Sequence, residues 1–315
     1  MKMIAVDLDG TLLNSESKIS KENIDAIKKA REHGIEVVVA TGRASFDVQT
    51  IFEPTSIKTW IISAKEKWDK LLNANNRISI KTWIISANGA VIHDPEGRLY
   101  HSVPLDRKRA EGILQWLEEK NYYYEVFSDE AIFTPQNGRE LLDIELDRLK
   151  SANPGADLSR LELAAEQQLS QNGYAYISSY TDLFLAGKDV NVYNILAFSF
   201  HKEKLETGWQ RFKDAQDITL VTSAEHNFEI EHLQASKGLA LEKLSRKLGI
   251  SLQETAAVGD SLNDFSMLKI AGKSFAMGNA REDIKEMADE VTLTNDENGV
   301  AHILNQLIEQ QVKPV

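Results

Sequence analysis

Apolar runs alternate with amphipathic stretches at both ends of the chain. Near the amino terminus the pattern predicts, in order, a strand, a helix, a strand and a helix at residues 3–6, 21–33, 35–40 and 44–52. Near the carboxyl terminus it predicts helix, strand, helix, strand and helix at residues 237–248, 254–258, 263–271, 274–276 and 282–288. Because the strands are apolar on both faces, the alternation favours an α/β fold in which helices cover a parallel sheet.

The middle of the chain has a different pattern, in which helices are mixed with hairpin-like strands. The predicted helices are 106–120 and 202–212, and the predicted strands are 122–127, 131–134, 191–200, 218–222 and 228–230. This pattern indicates an α+β domain inserted into a Rossmann-like domain. We expect the Rossmann-like domain at residues 1–103 and 233–315 and the inserted domain at residues 104–232.

One segment of the chain is duplicated. Residues 56–64 recur letter for letter as residues 79–87, at an offset of 23 residues. The spacer between the copies has helical periodicity, so either a strand, a helix and a second strand form here, or one copy and the spacer are looped out. We expect the second copy to stay joined to the Asn88-Gly89 turn without disturbing the other motifs.

Charge and composition exclude several classes of function. The 315 residues include 36 Lys and Arg against 48 Asp and Glu, a net charge of −12, so a nucleic acid or an acidic membrane surface would be repelled. The chain has no cysteine, which rules out disulfides, thiolate nucleophiles and cysteine-zinc sites. Cations with oxygen ligands remain possible. We identify no signal peptide and no membrane span, and therefore expect a soluble cytoplasmic protein.

Two acidic motifs directly follow predicted strands. Asp7 and Asp9 come after the first strand, while Asp260 and Asp264 come after the strand at 254–258. Ligands of open α/β folds bind outside the carboxyl ends of the strands, so these carboxylates share one site if the two strands are neighbours. Close carboxylates repel unless a cation offsets them, and this set suits Mg²⁺. The alternatives are an ordinary acidic turn at Asp7 and a helix N-cap at Asp260.

Two further motifs suit the binding of an anion. Thr41, Gly42 and Arg43 follow a predicted strand and open the next helix, where a hydroxyl and free backbone amides can hold a phosphate. Lys237 and Gly238 begin another helix and place a compact cation at its start. The alternatives are that Thr41 is an ordinary N-cap and that Lys237 is a solvated surface lysine.

Taken in this order, the four motifs resemble those of the haloacid dehalogenase superfamily of phosphohydrolases. The resemblance covers both ends of the chain, about 180 residues. The first motif and the insertion after the second resemble the Cof-type branch, which carries a C2B cap. The likeness extends to bacillary Cof-type enzymes assigned as 5-amino-6-(5-phospho-D-ribitylamino)uracil phosphatases of riboflavin biosynthesis. It includes the middle domain, at residues 122–124, 134–139 and 223–229, and also residues 86–90, 276–280 and 295–301. The duplication departs from the family pattern. In the topology that the resemblance implies, the strand after the helix of the second motif is a sheet edge, which can accept a further parallel strand.

The resemblance implies a mechanism and a role for each motif residue. Asp7 would be the nucleophile that forms an aspartyl-phosphate, and Asp9 would protonate the leaving alcohol and then help to deprotonate water. Mg²⁺ would be held by the Asp7 side chain, the Asp9 carbonyl and Asp260. The phosphoryl oxygens would be bound by Thr41, Gly42 and Lys237. The metal shell and Lys237 would be oriented by Asn263 and Asp264.

The sequence therefore predicts a Mg²⁺-dependent phosphatase of a small phosphorylated metabolite. The substrate would be the ribitylaminouracil phosphate or a sugar phosphate, and the sequence does not predict an oligomeric state. One alternative is a sugar phosphomutase or other phosphotransferase, which also passes through an aspartyl-phosphate. A second is a phosphate-accepting signalling module, and a third is a purely structural protein.

Overall fold

The computed structural model describes residues 1–52, 82–155, 157–169, 173–185 and 190–312. The chain forms two compact units. Unit one consists of Met1–Ser102 and Gln234–Val315, and unit two consists of Val103–Leu233. Unit two is therefore an insertion within the sequence of unit one. Within the described ranges, no helix is long and apolar enough to cross a membrane.

The described residues form the following strands and helices. The strands are β1 (Met3–Val6), β2 (Glu36–Ala40), β3 (Ile84–Ser86), β4 (Val91–His93), β5 (Leu99–Ser102), β6 (Tyr123–Ser128), β7 (Ile132–Pro135), β8 (Tyr174–Ile177), β9 (Val192–Phe198), β10 (Ile218–Val221), β11 (Asn227–His232), β12 (Thr255–Gly259), β13 (Lys273–Ala276) and β14 (Glu290–Val291). The helices are α1 (Lys21–Glu32), α2 (Ser45–Phe52), α3 (Arg107–Glu119), α4 (Gly138–Ala152), α5 (Ser159–Leu169), α6 (Lys202–Phe212), α7 (Lys237–Leu248), α8 (Phe265–Ile270), α9 (Glu282–Met287) and α10 (Gly299–Val312).

Unit one is built on an eight-stranded sheet. Its strands lie in the order β14-β13-β12-β1-β2-β3-β4-β5. The strands from β14 to β3 are parallel, and β4 and β5 add antiparallel strands beyond β3. The central strands β1 and β12 are buried along their whole length, as the apolar sequence on both faces requires. Because β1 and β12 are neighbours, the loops that follow them begin side by side.

The helices of unit one begin and end with recognisable capping residues. The side chain of Ser20 accepts a hydrogen bond from the backbone amide of Asn23 at the start of α1. Ser236 does the same for Leu239 at the start of α7. At its other end α7 stops at Gly249, which adopts the left-handed conformation that commonly terminates a helix. These local signals fix where Lys237 enters the first turn of α7.

Unit two contains a six-stranded sheet in the order β10-β11-β9-β6-β7-β8. Its neighbouring strands are antiparallel except for the parallel pair β7 and β8. Trp116 of α3 packs on Tyr122 and on Phe212 of α6, so both helices cover the sheet face that carries Tyr122. Tyr122, Tyr123 and Tyr124 are each at most 1% exposed, so this cluster packs in the interior of unit two.

The second copy of the duplicated segment supplies β3, which pairs in parallel with β2. It leads directly into the Asn88-Gly89 turn, and the Thr41 backbone amide donates to the carbonyl of Ile85 at 2.8 Å. The expectation that the second copy stays joined to this turn is confirmed. The first copy, residues 56–64, and the spacer lie outside the described residues. The expectation that the strand after α2 is a sheet edge is wrong, because the chain turns back after β3 and β4 pairs with it.

Candidate active site

Two carboxylates of unit one lie at the carboxyl ends of neighbouring strands. Asp7 directly follows β1, and its backbone amide donates to the carbonyl of Val258 in β12 at 3.1 Å. Asp260 directly follows β12. One carboxylate oxygen from each of Asp7, Asp260 and Asp264 lies within 4.8 Å of the others. We call these three side chains the acidic triad. The topology thus brings together three carboxylates that are widely separated in the sequence.

Lys237 is a completely buried cation inside the acidic triad. Its Nζ donates to Asp7 Oδ1 at 2.7 Å and to Asp264 Oδ1 at 2.6 Å. The alternative that Lys237 is a solvated surface lysine is therefore wrong. A buried ammonium group is expensive to desolvate, and paired carboxylates offset that cost. The first turn of α7 thereby places a positive charge beside the proposed nucleophile.

Burial and mutual electrostatic interactions shift the pKa values of Asp7, Asp260 and Lys237. Burial raises the pKa of Asp7 well above its ordinary value, and repulsion from Asp264 raises it further although Lys237 acts in the opposite direction. Burial and the charge of Asp264 also raise the pKa of Asp260, to about 6. Burial disfavours the charged form of Lys237, yet attraction to Asp264 and Asp7 raises its pKa above the ordinary value. The acidic triad therefore holds more negative charge than Lys237 can offset.

Asp264 is held by backbone as well as by Lys237. Its Oδ2 accepts the backbone amides of Asp260 at 3.0 Å and Ser261 at 3.1 Å. The carboxylate of Asp264 is fully buried, and its contacts fix the turn that carries Asp260. This arrangement suits an orienting role.

Asp260 itself has a more open environment than Asp264. Thr11 Oγ1 donates to Asp260 Oδ1 at 3.2 Å. Gly10 adopts a left-handed conformation, with φ of 72°, and a Cβ on it would lie 2.5 Å from Asp260 Oδ2. The N-cap position of the short 3₁₀ turn that follows belongs to Ser261, and that of α8 belongs to Asp264. The alternative that Asp260 is a helix N-cap is therefore wrong.

The side chain of Asp9 lies apart from the acidic triad. The guanidinium of Arg43 donates two hydrogen bonds to the Asp9 carboxylate, from Nε to Oδ2 at 2.8 Å and from Nη2 to Oδ1 at 2.7 Å. Nη1 of the same guanidinium donates to Asp47 at 2.6 Å. The Asp9 side chain is 55% exposed, whereas that of Asp47 is 6% exposed. Arg43 therefore orients Asp9 at the edge of the site.

Thr41 and Gly42 follow β2 in a tight loop. The Thr41 hydroxyl accepts the backbone amide of Arg43 at 3.1 Å, and within the described part of the chain its own proton has no hydrogen-bond acceptor. This bond closes a short turn before α2 starts at Ser45, so Thr41 is not the N-cap of that helix. The backbone of Gly42 lies beside the carboxamide of Asn88. The loop presents a hydroxyl donor at the same edge of the sheet as Asp7.

Asn263 makes contacts that differ from the expected ones. Its Oδ1 accepts from Ser261 Oγ at 2.7 Å, and its Nδ2 donates to Asn88 Oδ1 at 3.1 Å. The described hydrogen bonds of Asn263 thus run to Ser261 and Asn88, whereas Asp264 is the residue that contacts Lys237. Asn263 and Asp264 both lie on the turn that follows β12, but Asn263 connects this turn to Asn88 and Asp264 connects it to Lys237.

Sequence reasoning missed four residues that contact the site. They are Thr11, which bonds Asp260; Arg43, which bonds Asp9; Asn88, which bonds Asn263; and Asn279, whose Nδ2 donates to the Gly10 carbonyl at 2.8 Å. Each lies within or next to a motif that carries the family resemblance. These residues were therefore visible in the motifs, but no role in the site had been assigned to them.

Comparisons with known proteins agree with this geometry. The family model of haloacid dehalogenase-like hydrolases matches residues 4–65 and 67–304. The chain belongs to this family. "Phosphatase YwpJ" of Bacillus subtilis (strain 168) is 61% identical over 308 residues, which cover 98% of this chain and 100% of that protein. "5-amino-6-(5-phospho-D-ribitylamino)uracil phosphatase YwtE" of the same strain is 39% identical over 311 residues and covers 99% of both chains.

A solved structure gives the same assignment. A haloacid dehalogenase-like hydrolase from B. subtilis is similar to this chain with a TM-score of 0.79 and 62% sequence identity, and the match covers 98% of this chain and 100% of that one. The expected fold class, a Rossmann-like core of this family with an inserted α+β cap, is confirmed. Because the relatives that are 61% and 39% identical over nearly the whole chain are both named phosphatases, this family member is a phosphatase.

The residues of the acidic triad also fit a divalent cation. With all three carboxylates ionised and Lys237 protonated, the group carries two negative charges in excess. Burial raises the pKa values of Asp7 and Asp260 most, and repulsion between uncompensated carboxylates raises them further. Hard oxygen ligands of this kind are those that Mg²⁺ prefers.

Proposed function

We propose that this chain is a Mg²⁺-dependent phosphatase that hydrolyses a small phosphorylated metabolite through an aspartyl-phosphate on Asp7. The observation that carries the proposal is the contact of the buried Lys237 with both Asp7 and Asp264, beside Asp260. A carboxylate can attack a phosphate dianion only after their mutual repulsion is cancelled. A fixed cation beside the attacking oxygen supplies part of that cancellation.

The remaining negative charge calls for a metal ion. We propose that Asp7, Asp260 and the Asp9 carbonyl hold Mg²⁺, and that Asp264 orients Asp260 and Lys237. When bound, Mg²⁺ would supply positive charge between the nucleophile and the phosphate. Asp264 is a poor direct ligand in this arrangement, because its two oxygens already accept from Lys237 and from two backbone amides.

Asp7 is the proposed nucleophile because it combines burial with a cationic neighbour. One of its carboxylate oxygens would bond to phosphorus while the ester oxygen of the substrate leaves with its electron pair. Water would then attack phosphorus, displace the Asp7 carboxylate and release inorganic phosphate. Lys237 stabilises the negative charge near Asp7 in both steps.

Asp9 is the proposed acid and base. In the first step it would give a proton to the leaving alkoxide, and in the second step it would take one from water. Its exposed side chain has room to turn from Arg43 toward a bound substrate. Thr41 would donate its hydroxyl proton to a phosphoryl oxygen, and the backbone amide of Gly42 would add a second donor.

The substrate is proposed at the level of its chemistry. The 61% identical relative is named as a phosphatase without a substrate, while the 39% identical one is named for the ribitylaminouracil phosphate. We therefore propose that compound and sugar phosphates as candidates. A panel of phosphorylated metabolites, assayed for free phosphate and for isomerised products, distinguishes hydrolysis from mutase activity.

The test of the mechanism is Asp7→Asn. We expect phosphate release from p-nitrophenyl phosphate to need Mg²⁺ and to fall roughly 1,000-fold or more in this variant, because an amide is a poor nucleophile. Asp25→Asn is a matched control, since Asp25 is an exposed residue of α1 that pairs with Lys21. Wild-type turnover by Asp7→Asn would contradict the assignment of the nucleophile.

A further inference from the structure

A short loop after β3 has an unusual backbone. Ala87, Asn88 and Gly89 have φ angles of 46°, 51° and 102°, so three consecutive residues adopt left-handed conformations. We call residues 87–89 the left-handed loop. Left-handed conformations are unfavourable for a residue such as alanine and persist only where the surroundings impose them. The contacts of the loop with its neighbours identify what imposes them.

The first contact of the left-handed loop is with the Thr41 loop. The backbone amide of Asn88 donates to the Thr41 carbonyl at 3.0 Å, and that of Ala87 donates to the Arg43 carbonyl at 2.9 Å. In return the Thr41 amide donates to Ile85 at 2.8 Å. Three backbone hydrogen bonds therefore fix the loop that presents the Thr41 hydroxyl.

The second contact is made by the side chain of Asn88. It is 4% exposed, and its Oδ1 accepts from Asn263 Nδ2 at 3.1 Å. Asn263 belongs to the turn that also carries Asp260 and Asp264, and Ser261 fastens its other end. The Asn88 carboxamide thus links the turn of the acidic triad, 175 residues later in the sequence, to the loop whose backbone is hydrogen-bonded to Thr41.

The third contact is with the start of α7. A Cβ on Gly89 would lie 2.2 Å from the Ser236 carbonyl oxygen and 2.8 Å from the Lys237 backbone nitrogen. Only glycine allows this approach, and its φ of 102° also disfavours any other residue. The left-handed loop therefore abuts the residue that supplies the buried cation.

We infer that Asn88 is a positioning residue that sets the acidic-triad turn relative to the Thr41 loop and Lys237. The inference rests on the proposed function, because it explains the contacts of Asn88 by the arrangement of residues that phosphate hydrolysis needs. Asn88 acts through Asn263 and the backbone of Thr41, and it is not assigned a contact with substrate. Asparagine suits this position because it tolerates a left-handed backbone and offers a carboxamide acceptor.

The test uses Asn88→Gly, which keeps the left-handed backbone and removes only the carboxamide. We expect the dissociation constant for Mg²⁺ alone, measured by calorimetry without substrate, to rise about tenfold, as for the loss of residues that orient metal ligands. We expect kcat for p-nitrophenyl phosphate to fall on the order of 10- to 100-fold with KM changed less than about threefold, because small displacements impair chemistry more than binding. Thermal melting monitors folding.

Two further variants separate positioning from general damage. Asn121→Gly is the matched control, since Asn121 is another left-handed asparagine, with φ of 55°, in unit two. It should keep native Mg²⁺ affinity and turnover. The double variant Asn88→Gly with Asn263→Ala should be less impaired than the product of the two single effects, because both changes remove the hydrogen bond that joins the two side chains.

The outcomes distinguish this inference from the proposed function. Native Mg²⁺ affinity and kcat in Asn88→Gly would overturn the inference, as would two independent effects that multiply in the double variant. Failure of the wild-type protein to release phosphate from any ester in the panel would instead overturn the proposed function. The calorimetric comparison tests Asn88 in either case, because it does not need turnover.

Discussion

Asp7 of unit one and Glu125 of unit two are both buried carboxylates, but they have different partners. In unit one, Lys237 Nζ lies 2.7 Å from Asp7 and 2.6 Å from Asp264. In unit two, Glu125 is completely buried, and its Oε1 accepts from Tyr123 at 2.7 Å, from Gln168 at 2.8 Å and from Tyr174. These three partners of Glu125 are neutral donors.

Burial raises the pKa of both carboxyl groups, and their partners determine which charge lies beside them. Burial raises the pKa of Glu125 to about 7, with its three hydrogen-bond donors lowering it against that effect. Glu125 therefore exchanges its proton near neutral pH. In unit one the attraction of the carboxylates keeps Lys237 charged despite its burial. A buried acid beside a cation can act on a phosphate, whereas a buried acid among tyrosines mainly joins strands and helices.

Removing the cation of unit one should have the largest effect. Lys237→Met leaves the acidic triad without its fixed positive charge, so we expect phosphatase activity to fall roughly 1,000-fold or more. Without Mg²⁺ the free energy of unfolding should fall by about 3–5 kcal/mol, because breaking a buried pair leaves uncompensated charge. Phosphate release and urea unfolding measure the two quantities.

The same helix supplies a control for this prediction. Lys243 lies on the exposed side of α7, and Lys243→Met should change neither activity nor stability appreciably. Activity within tenfold of wild type in Lys237→Met would show that the buried cation is dispensable. The contrast between the two units would then need another explanation.

Removing the charge of Glu125 should have a smaller effect that depends on pH. Its folded-state pKa of about 7 lies above the ordinary value of 4.5, so the folded state binds the proton more tightly. The free energy of unfolding therefore falls as pH rises from about 4.5 to about 7, by up to about 3 kcal/mol. Glu125→Gln stays neutral and should lack this contribution, so its melting temperature relative to wild type rises with pH.

Melting curves of wild type and variant between pH 5 and pH 8 measure that difference, because other titrating groups cancel. Glu140→Gln is the control, because Glu140 is exposed on α4 and its substitution removes one carboxylate without changing the interior of unit two. A constant offset between Glu125→Gln and wild type across this range would mean that Glu125 does not titrate there.

The fold was predictable where burial leaves a strong pattern. The sequence predicts strand 3–6 and helices 202–212 and 237–248 with the bounds that the structure has, because the strand is an uninterrupted apolar run and the helices repeat apolar positions with helical spacing. Helix α4 was not predicted. Its apolar residues Leu142, Leu146 and Leu149 have helical spacing, so the pattern was present although only Leu142 of the three is buried.

The site was predictable where chemistry follows directly from a strand end. Asp7 and Asp260 meet because β1 and β12 are neighbours, as expected from two acidic motifs after apolar strands. The bond between Asn88 and Asn263 could not be predicted, because it depends on a left-handed loop that local pattern does not reveal. The pairing of Arg43 with Asp9 depends on side-chain orientation in the same way.

Arg43 and Asp9 form a third kind of pair, at the edge of the unit one site, and should give the smallest effect. The side chains are 30% and 55% exposed, so water screens their attraction. Arg43→Lys keeps the positive charge, but an ammonium group cannot donate two parallel hydrogen bonds to the Asp9 carboxylate. We expect kcat to fall by about two- to tenfold, since Asp9 becomes less well oriented, with the free energy of unfolding changed by less than about 1 kcal/mol.

Steady-state kinetics and urea unfolding measure both, with Arg98→Lys as the control at an exposed pair with Asp94. A loss as large as that of Lys237→Met would place Arg43 within the buried charge balance, and the distinction between buried and exposed pairs in unit one would fail.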